Sequence, residues 1–278
     1  MRTTSLLLGV LILALITSSC SSGPTPPRPG TPQFFWNAAK DAYRTGDYQK
    51  TDASLAEIFR SDNEFAPRAR AWSMVINAGL GEGFAQTADN YDAGARANRA
   101  NPMPFRKQAT ALRSFASQAG MQLAEATHTF LEKDKDPTVL LAFEFPSGAA
   151  AEPGSLKRVA GGLVLQDSER ESLQLSMLQR GVLLSLCRFT GSGDDPAKTL
   201  EKVKAAEVRV PREVFLLAAA KTLYDQSELF GSKKLDQPTR LRALCQEALE
   251  ALGSIPETKE TKALTAKIQA TLKKIKTT

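Results

Sequence analysis

The stretch FWNAAKDAYRTGDYQKTDASLAEIF, residues 35–59, decides the fold class. Trp36, Ala39, Ala42 and Tyr43 recur at the spacing of one helix face. Thr45, Gly46, Asp47 and Tyr48 interrupt that face with turn-forming residues. Leu55, Ile58 and Phe59 then supply the apolar face of a returning helix. Pro32 stands where a helix's first turn tolerates proline, and Gly46 stands where the helix must end. The stretch predicts a helical hairpin.

Working outward, Pro32, Pro67, Pro102 and Pro137 are each 35 residues apart. Gly46 and Gly81 share the period, each 14 residues after its proline. Aromatic residues follow the first three prolines: Phe34, Phe35 and Trp36, then Trp72, then Phe105. This pattern resembles the tetratricopeptide repeat, a helix-turn-helix unit of about 34 residues. Ala38 and Ala39 replace the usual Leu-Gly pair of its first helix, and Thr51 replaces a small Ala. A second unit would run from Pro67 to Ala100, with its turn at Gly79, Gly81 and Gly83. A preceding helix, not a strand, argues against a phosphate loop at those glycines. The third unit lacks the turn glycine, so residues 104–133 read as one long helix or a tight pair.

After Pro137 the phase is lost. Val139, Leu141, Phe143 and Phe145 alternate with Leu140, Ala142 and Glu144, as in a strand. Residues 139–145 and 159–165 suit a short β-hairpin or two extended segments in a helical groove. Helix resumes at Asp167 or Ser168, with Glu171 at capping-box spacing from Ser168. Asp195-Pro196, Pro211, Gln237-Pro238 and Pro256 open four more helices. In the last, Leu264, Ile268, Leu272 and Ile275 form one stripe amid lysines, as a capping helix needs. Fifteen of the 19 aromatics precede residue 150, so the second half must pack on Leu, Ala and Val. Two lobes, or two halves of one superhelix, fit that split.

The N-terminus carries an address. Arg2 is followed by eleven apolar or glycine residues, Leu6 to Ile16, then Thr17, Ser18, Ser19 and Cys20. A spanning helix needs about 20 apolar residues, so eleven fit a signal-peptide core. The end of the segment resembles a bacterial lipoprotein signal, with Ser18-Ser19-Cys20 matching its lipobox and Thr17 departing from it. The resemblance implies cleavage before Cys20 and acyl chains, palmitate among them, on that residue. A plain secretory signal with an incidental Cys is the alternative. Residues 21–31 are a Pro/Gly/Ser tether of about 30 Å if extended. Ser21 in place of Asp leans toward the outer membrane. The expected organisation is thus 1–19 signal, 20–31 tether, 32–136 tetratricopeptide-like hairpins, 137–166 irregular insert and 167–278 helical array.

Composition excludes several classes. Apolar residues at 42% and charged residues at 24% exclude a disordered chain. Three Cys exclude a disulfide framework, and one His argues against most zinc sites. No cofactor or metal is expected. Net charge is +6 and the pI about 9.2, but export makes nucleic acid an improbable partner. His128 lacks any nucleophile elbow beside it and reads as a surface or edge residue. Cys187 and Cys245 read as buried small hydrophobes, with a disulfide open to an oxidising envelope. Glu171-Ser172 is similar to the catalytic dipeptide of lytic transglycosylases, but their Gly-Leu-Met-Gln segment is absent. Asp89, Asp92, Asp194 and Asp195 lack calcium-loop spacing and read as solvated faces and caps.

The expected fold is all-α, a tetratricopeptide-like α-solenoid. The expected function is a non-catalytic, membrane-anchored periplasmic scaffold that binds proteins or peptides in a helical groove. By the family resemblance, Asn37, Lys40, Tyr43, Arg44 and Asn77 would face that groove. An envelope enzyme such as a peptidoglycan hydrolase, or a small-molecule binding lipoprotein, is the alternative.

Overall fold

The computed structural model describes residues 27–141, 153–193, 195–203 and 208–275. The signal segment, Cys20, most of the tether and Asp194 lie outside the described residues, as do residues 142–145 of the expected strand. Among the described residues are ten α-helices and one two-stranded sheet, an all-α fold. No helix among them is long and apolar enough to cross a membrane.

The first hairpin forms as its sequence predicts. Helix α1 spans Pro32–Arg44, and the Phe34 N–H donates to the Thr31 hydroxyl at its N-cap. Gly46 takes φ +78°, the left-handed conformation the turn requires. Helix α2 spans Tyr48–Ile58, and Asp47 accepts from the Lys50 N–H at 3.1 Å. Tyr43, Tyr48 and Trp72 meet edge to face, with centroids 5.1–5.5 Å apart.

The second hairpin does not form. Residues 66–97 make one helix, α3, of 32 residues and about 48 Å. Helix α4, Met103–Lys133, is likewise a single helix of 31 residues. The proline period survives with another meaning. Pro67 and Pro102 stand at the starts of α3 and α4, so 35 residues measure one long helix plus its connection. The two helices run antiparallel: Tyr91 meets Phe105, Phe84 meets Phe115, and Arg70 pairs with Asp134.

Gly79, Gly81 and Gly83 are therefore contact residues rather than turn residues. Helix α6, Asp167–Phe189, crosses α3 at Gly181. A Cβ on Gly79 would lie 2.4 Å from the Val182 Cα, and one on Gly83 would lie 2.8 Å from the Met177 carbonyl oxygen. The Ser185 hydroxyl donates to the Val75 carbonyl oxygen at 2.8 Å. Every residue from Ala71 to Leu80 is buried, so this part of α3 carries no polar stripe and runs through the core of the molecule. Helix α3 touches α2, α4, α5 (Gly154–Ala160), α6 and α8 (Arg212–Ser227). A solenoid repeat contacts only its neighbours, so this packing does not show the expected stack of hairpins; of the expected units, only the first forms its hairpin, as α1 and α2.

The insert also differs from expectation. Strand β1, Thr138–Leu141, pairs antiparallel with β2, Val208–Pro211, and not with residues 159–165. Leu141 pairs with Val208 and Thr138 with Pro211. Val139 and Leu141 point into the core, as the alternation predicts. Residues 154–160 are helical. The cap of α6 lies two residues earlier than expected: the Gln166 N–H donates to the Glu169 carboxylate at 3.2 Å.

Three of the remaining helices start where their prolines place them, whereas the last starts at Lys259, capped by Thr258, three residues beyond Pro256. Asp195 accepts from the Lys198 N–H at the head of α7, Pro196–Val203. Helix α8 ends in a 3-10 turn, Glu228–Phe230. Helices α9, Pro238–Gly253, and α10, Lys259–Lys274, complete the chain. Helix α9 packs on α8 and α4, and α10 caps α9 and α8 through Ile268. Cys187 and Cys245 are both buried and, among the described residues, are not joined to each other by a disulfide.

Candidate functional site

The residues expected to face a partner do not share one surface. Asn37 and Arg44 are exposed on α1, and Lys40 is half-buried. Tyr43 and Asn77 lie in the core, 1% and 0% exposed, which corrects the expectation for these two. Tyr43 falls in the Trp36–Ala39–Tyr43 stripe that packs on α3. Asn77 serves a buried carboxylate: its amide donates to Asp52 at 2.8 Å, and the Ser73 hydroxyl does so at 2.6 Å. Glu171 and Ser172 sit exposed on the first turns of α6.

Burial raises the Asp52 carboxyl above its ordinary value, and the Ser73 and Asn77 hydrogen bonds offset part of that. A raised acid favours the fold while protonated. Its contribution is present below the ordinary carboxylate pKa and is lost as pH rises through the raised value. Asp52→Ala is expected to cost about 1–3 kcal/mol, since two buried donors lose their acceptor. Asp52→Asn is expected to cost less and to flatten stability against pH above the acid range. Urea unfolding of the three proteins between pH 4 and 8 checks this. Parallel pH profiles for wild type and Asp52→Asn would refute it.

The clearest recess for a ligand flanks the α3–α4 turn. Asn98 builds it: its side-chain oxygen accepts from the Asn101 N–H, and its amide donates to the Gly162 carbonyl oxygen at 3.1 Å. Gly162 takes φ +89°, and a Cβ on it would lie 3.1 Å from Asn98, so the α5–α6 loop is pinned against the turn. Tyr91, Phe105 and Leu165 form an apolar floor, and Met103, Pro104 and Val164 form the walls. The volume is about 420 Å³, within the range that ligand sites occupy. Met103 and Val164 remain 64% and 49% exposed in its walls. Two such side chains lining one groove make a local apolar patch rather than scattered exposure.

The polar groups of this groove are few. The Tyr91 hydroxyl is buried without a hydrogen-bond partner among the described residues. Burial raises its pKa, and the nearby Arg170 charge opposes that rise. Lys107 and Arg170 stand at the rim, and Arg170 bonds Asp167 at 2.8 Å. Arg96, Arg99 and Arg106 line a second hollow across the same turn. Asp92, the acid there, is engaged by Arg113. The turn therefore presents an apolar trough with a cationic surround.

A second cleft lies where α3, α4, α6 and α8 meet. Arg188 forms a two-bonded pair with Glu82, at 2.7 and 3.1 Å. The Gln226 amide donates to the Ala78 carbonyl oxygen, while its own oxygen is buried without a partner among the described residues. Burial raises the Asp225 carboxyl, with Arg188 opposing. The cleft holds about 210 Å³, below the roughly 300 Å³ of the smallest ordinary ligand pockets.

Nothing in the sequence marks the groove, because Met103 and Val164 are distant in the chain and their segments are joined by the Asn98–Gly162 contact. Compared with known proteins, the chain matches no protein-family model, no curated protein and no solved structure.

Proposed function

We propose that the protein is a non-catalytic, lipid-anchored lipoprotein of a bacterial cell envelope, held on the periplasmic side of the outer membrane. Its helical domain would hold an extended segment of a partner protein in the groove beside the α3–α4 turn. The single observation that carries this reading is the exposed pair Met103 and Val164 on an apolar trough with a cationic rim. Such a trough suits a segment that pairs apolar anchors with flanking Asp or Glu. The anchor rests on Cys20 and the tether that follows it. Lipid on Cys20 would keep the domain near its partner and raise the effective concentration. The degenerate tetratricopeptide-like hairpin belongs to this reading only at α1 and α2, where it acts as a packing unit against α3.

Panning a library of linear peptides on the full chain in detergent tests the binding half. The expected enrichment is for apolar pairs flanked by acids. Met103→Asp and Val164→Asp should each weaken those peptides at least about tenfold, as loss of a central anchor does. No enriched class, or peptides indifferent to both substitutions, would reject the groove. Fractionation tests the address: Cys20→Ala behind an ordinary cleavable signal peptide should leave the membrane fraction, and its retention there would reject the anchor.

A further inference from the structure

We propose that His128, Glu247 and Glu250 form a site for one divalent transition-metal ion, Zn2+ above all, that joins α4 to α9. His128 lies on α4, and Glu247 and Glu250 lie three residues apart on one face of α9. One ligand atom from each lies within 4.8 Å of the other two. His128 Nδ1 is 3.6 Å from Glu247 Oε2 and 3.8 Å from Glu250 Oε2. Neighbouring ligands around tetrahedral zinc stand about 3.3 Å apart, so small rotations of exposed side chains close the set.

Three further features favour a cation there over a plain ion pair. Glu132 Oε1 lies 3.5 Å from the other ring nitrogen, Nε2. A carboxylate behind a ligating imidazole holds the proton on that nitrogen and leaves Nδ1 as the ligand. Second, Glu247 Oε1 is buried and has no hydrogen-bond partner among the described residues, although the side chain is only 12% exposed. Third, two carboxylates crowd this point. Glu247 Oε2 and Glu250 Oε2 both lie within 4 Å of His128 Nδ1, so their charges repel each other there. A bound cation removes that repulsion.

The donor set selects the metal. An imidazole nitrogen beside two carboxylates favours zinc and its neighbours over magnesium or calcium, which take oxygen ligands. Three protein ligands leave one position for water, and His128 and Glu250 are exposed enough for it to reach. The sequence argued against zinc because it holds a single His; here carboxylates from α9 supply the other ligands. The site stands apart from the groove at the α3–α4 turn, so its failure would leave the proposed function untouched.

Titration of the metal-stripped full chain with ZnCl2 against a colorimetric chelator tests the site. One equivalent should bind per chain, with MgCl2 failing to compete. At a hundredfold excess over Kd, the midpoint of thermal unfolding should rise by roughly 5 °C. His128→Ala and Glu250→Ala should each weaken binding at least about tenfold while leaving the metal-free midpoint unchanged, since both side chains are exposed. Glu132→Gln should keep the stoichiometry and weaken the affinity, and Co2+ loading should give a visible spectrum that this variant alters. Absence of saturable binding would overturn the proposal. So would zinc binding that His128→Ala and Glu250→Ala leave unchanged.

Discussion

Gly181→Ala is expected to destabilise the protein by about 3 kcal/mol or more, although alanine is the better helix former by up to about 1 kcal/mol. A Cβ at position 181 would stand 2.3 Å from the Gly79 carbonyl oxygen and 3.0 Å from the Gly83 backbone nitrogen. Both obstacles are backbone atoms of a buried helix. Neither can swing aside as a side chain does, so α6 must lift from α3. A lift of 0.5–1 Å forfeits about a quarter to a half of each dispersion contact along the seam. Val75, Val182 and Leu186 are fully buried in the core that α3 and α6 share, and the Ser185–Val75 hydrogen bond would lengthen with them. Gly79→Ala meets the same fate, with its Cβ 2.4 Å from the Val182 Cα. The double variant should cost less than the sum, since one separation relieves both clashes. Gly253→Ala is the control. It lies at the end of α9 with nothing within 4 Å of its Cβ, and should change stability by less than about 0.5 kcal/mol. Urea unfolding followed by circular dichroism ranks the four variants. A Gly181→Ala protein as stable as Gly253→Ala would contradict the crossing.

That crossing also explains what the sequence conceals. Gly46 was legible as a turn because its neighbours Thr45, Asp47 and Tyr48 are local turn and cap residues. Gly79, Gly81 and Gly83 look alike in the sequence, yet their partners lie far along the chain on α6 and α8. A helix glycine that admits another backbone and a glycine that ends a helix carry the same letter. The same limit hid the partner of β1: alternation is local and was read, while pairing with Val208–Pro211 is distant and was not. Helix starts were legible at Pro32, Pro196 and Pro238 because a first-turn proline acts on its own residue. Tyr43 was misplaced by the family resemblance, though its spacing from Trp36 and Ala39 already put it on the core face. Asn77 had no such signal, since ten consecutive buried positions erase the period that would assign a face.

The second large effect concerns the far end of the α3–α4 hairpin, where Asp134→Ala should cost about 3–5 kcal/mol. Arg70, in the first turns of α3, donates from Nε to Asp134 Oδ2 at 2.6 Å and from Nη2 to Oδ1 at 2.8 Å. The side chains are 5% and 9% exposed, so neither charge has water to fall back on. Removing the carboxylate leaves a buried guanidinium without its counter-charge, which is costlier than the pair is worth. Asp134→Asn keeps one acceptor and should fall between wild type and Asp134→Ala. The backbone at this point has its own support, since Arg212 donates to the Asp134 carbonyl oxygen at 3.2 and 3.3 Å. The loss in Asp134→Ala therefore belongs to Arg70 and not to an unravelled helix end. The pair Arg70→Met with Asp134→Leu separates the two meanings of a buried ion pair. Replacing both partners by apolar side chains should recover most of the stability, because no buried charge is then left desolvated and unpaired. Denaturant midpoints for the singles and the double make the comparison, in low and in 1 M salt. A double variant as unstable as Asp134→Ala alone would mean that packing, not uncompensated charge, sets the cost at this end of the hairpin.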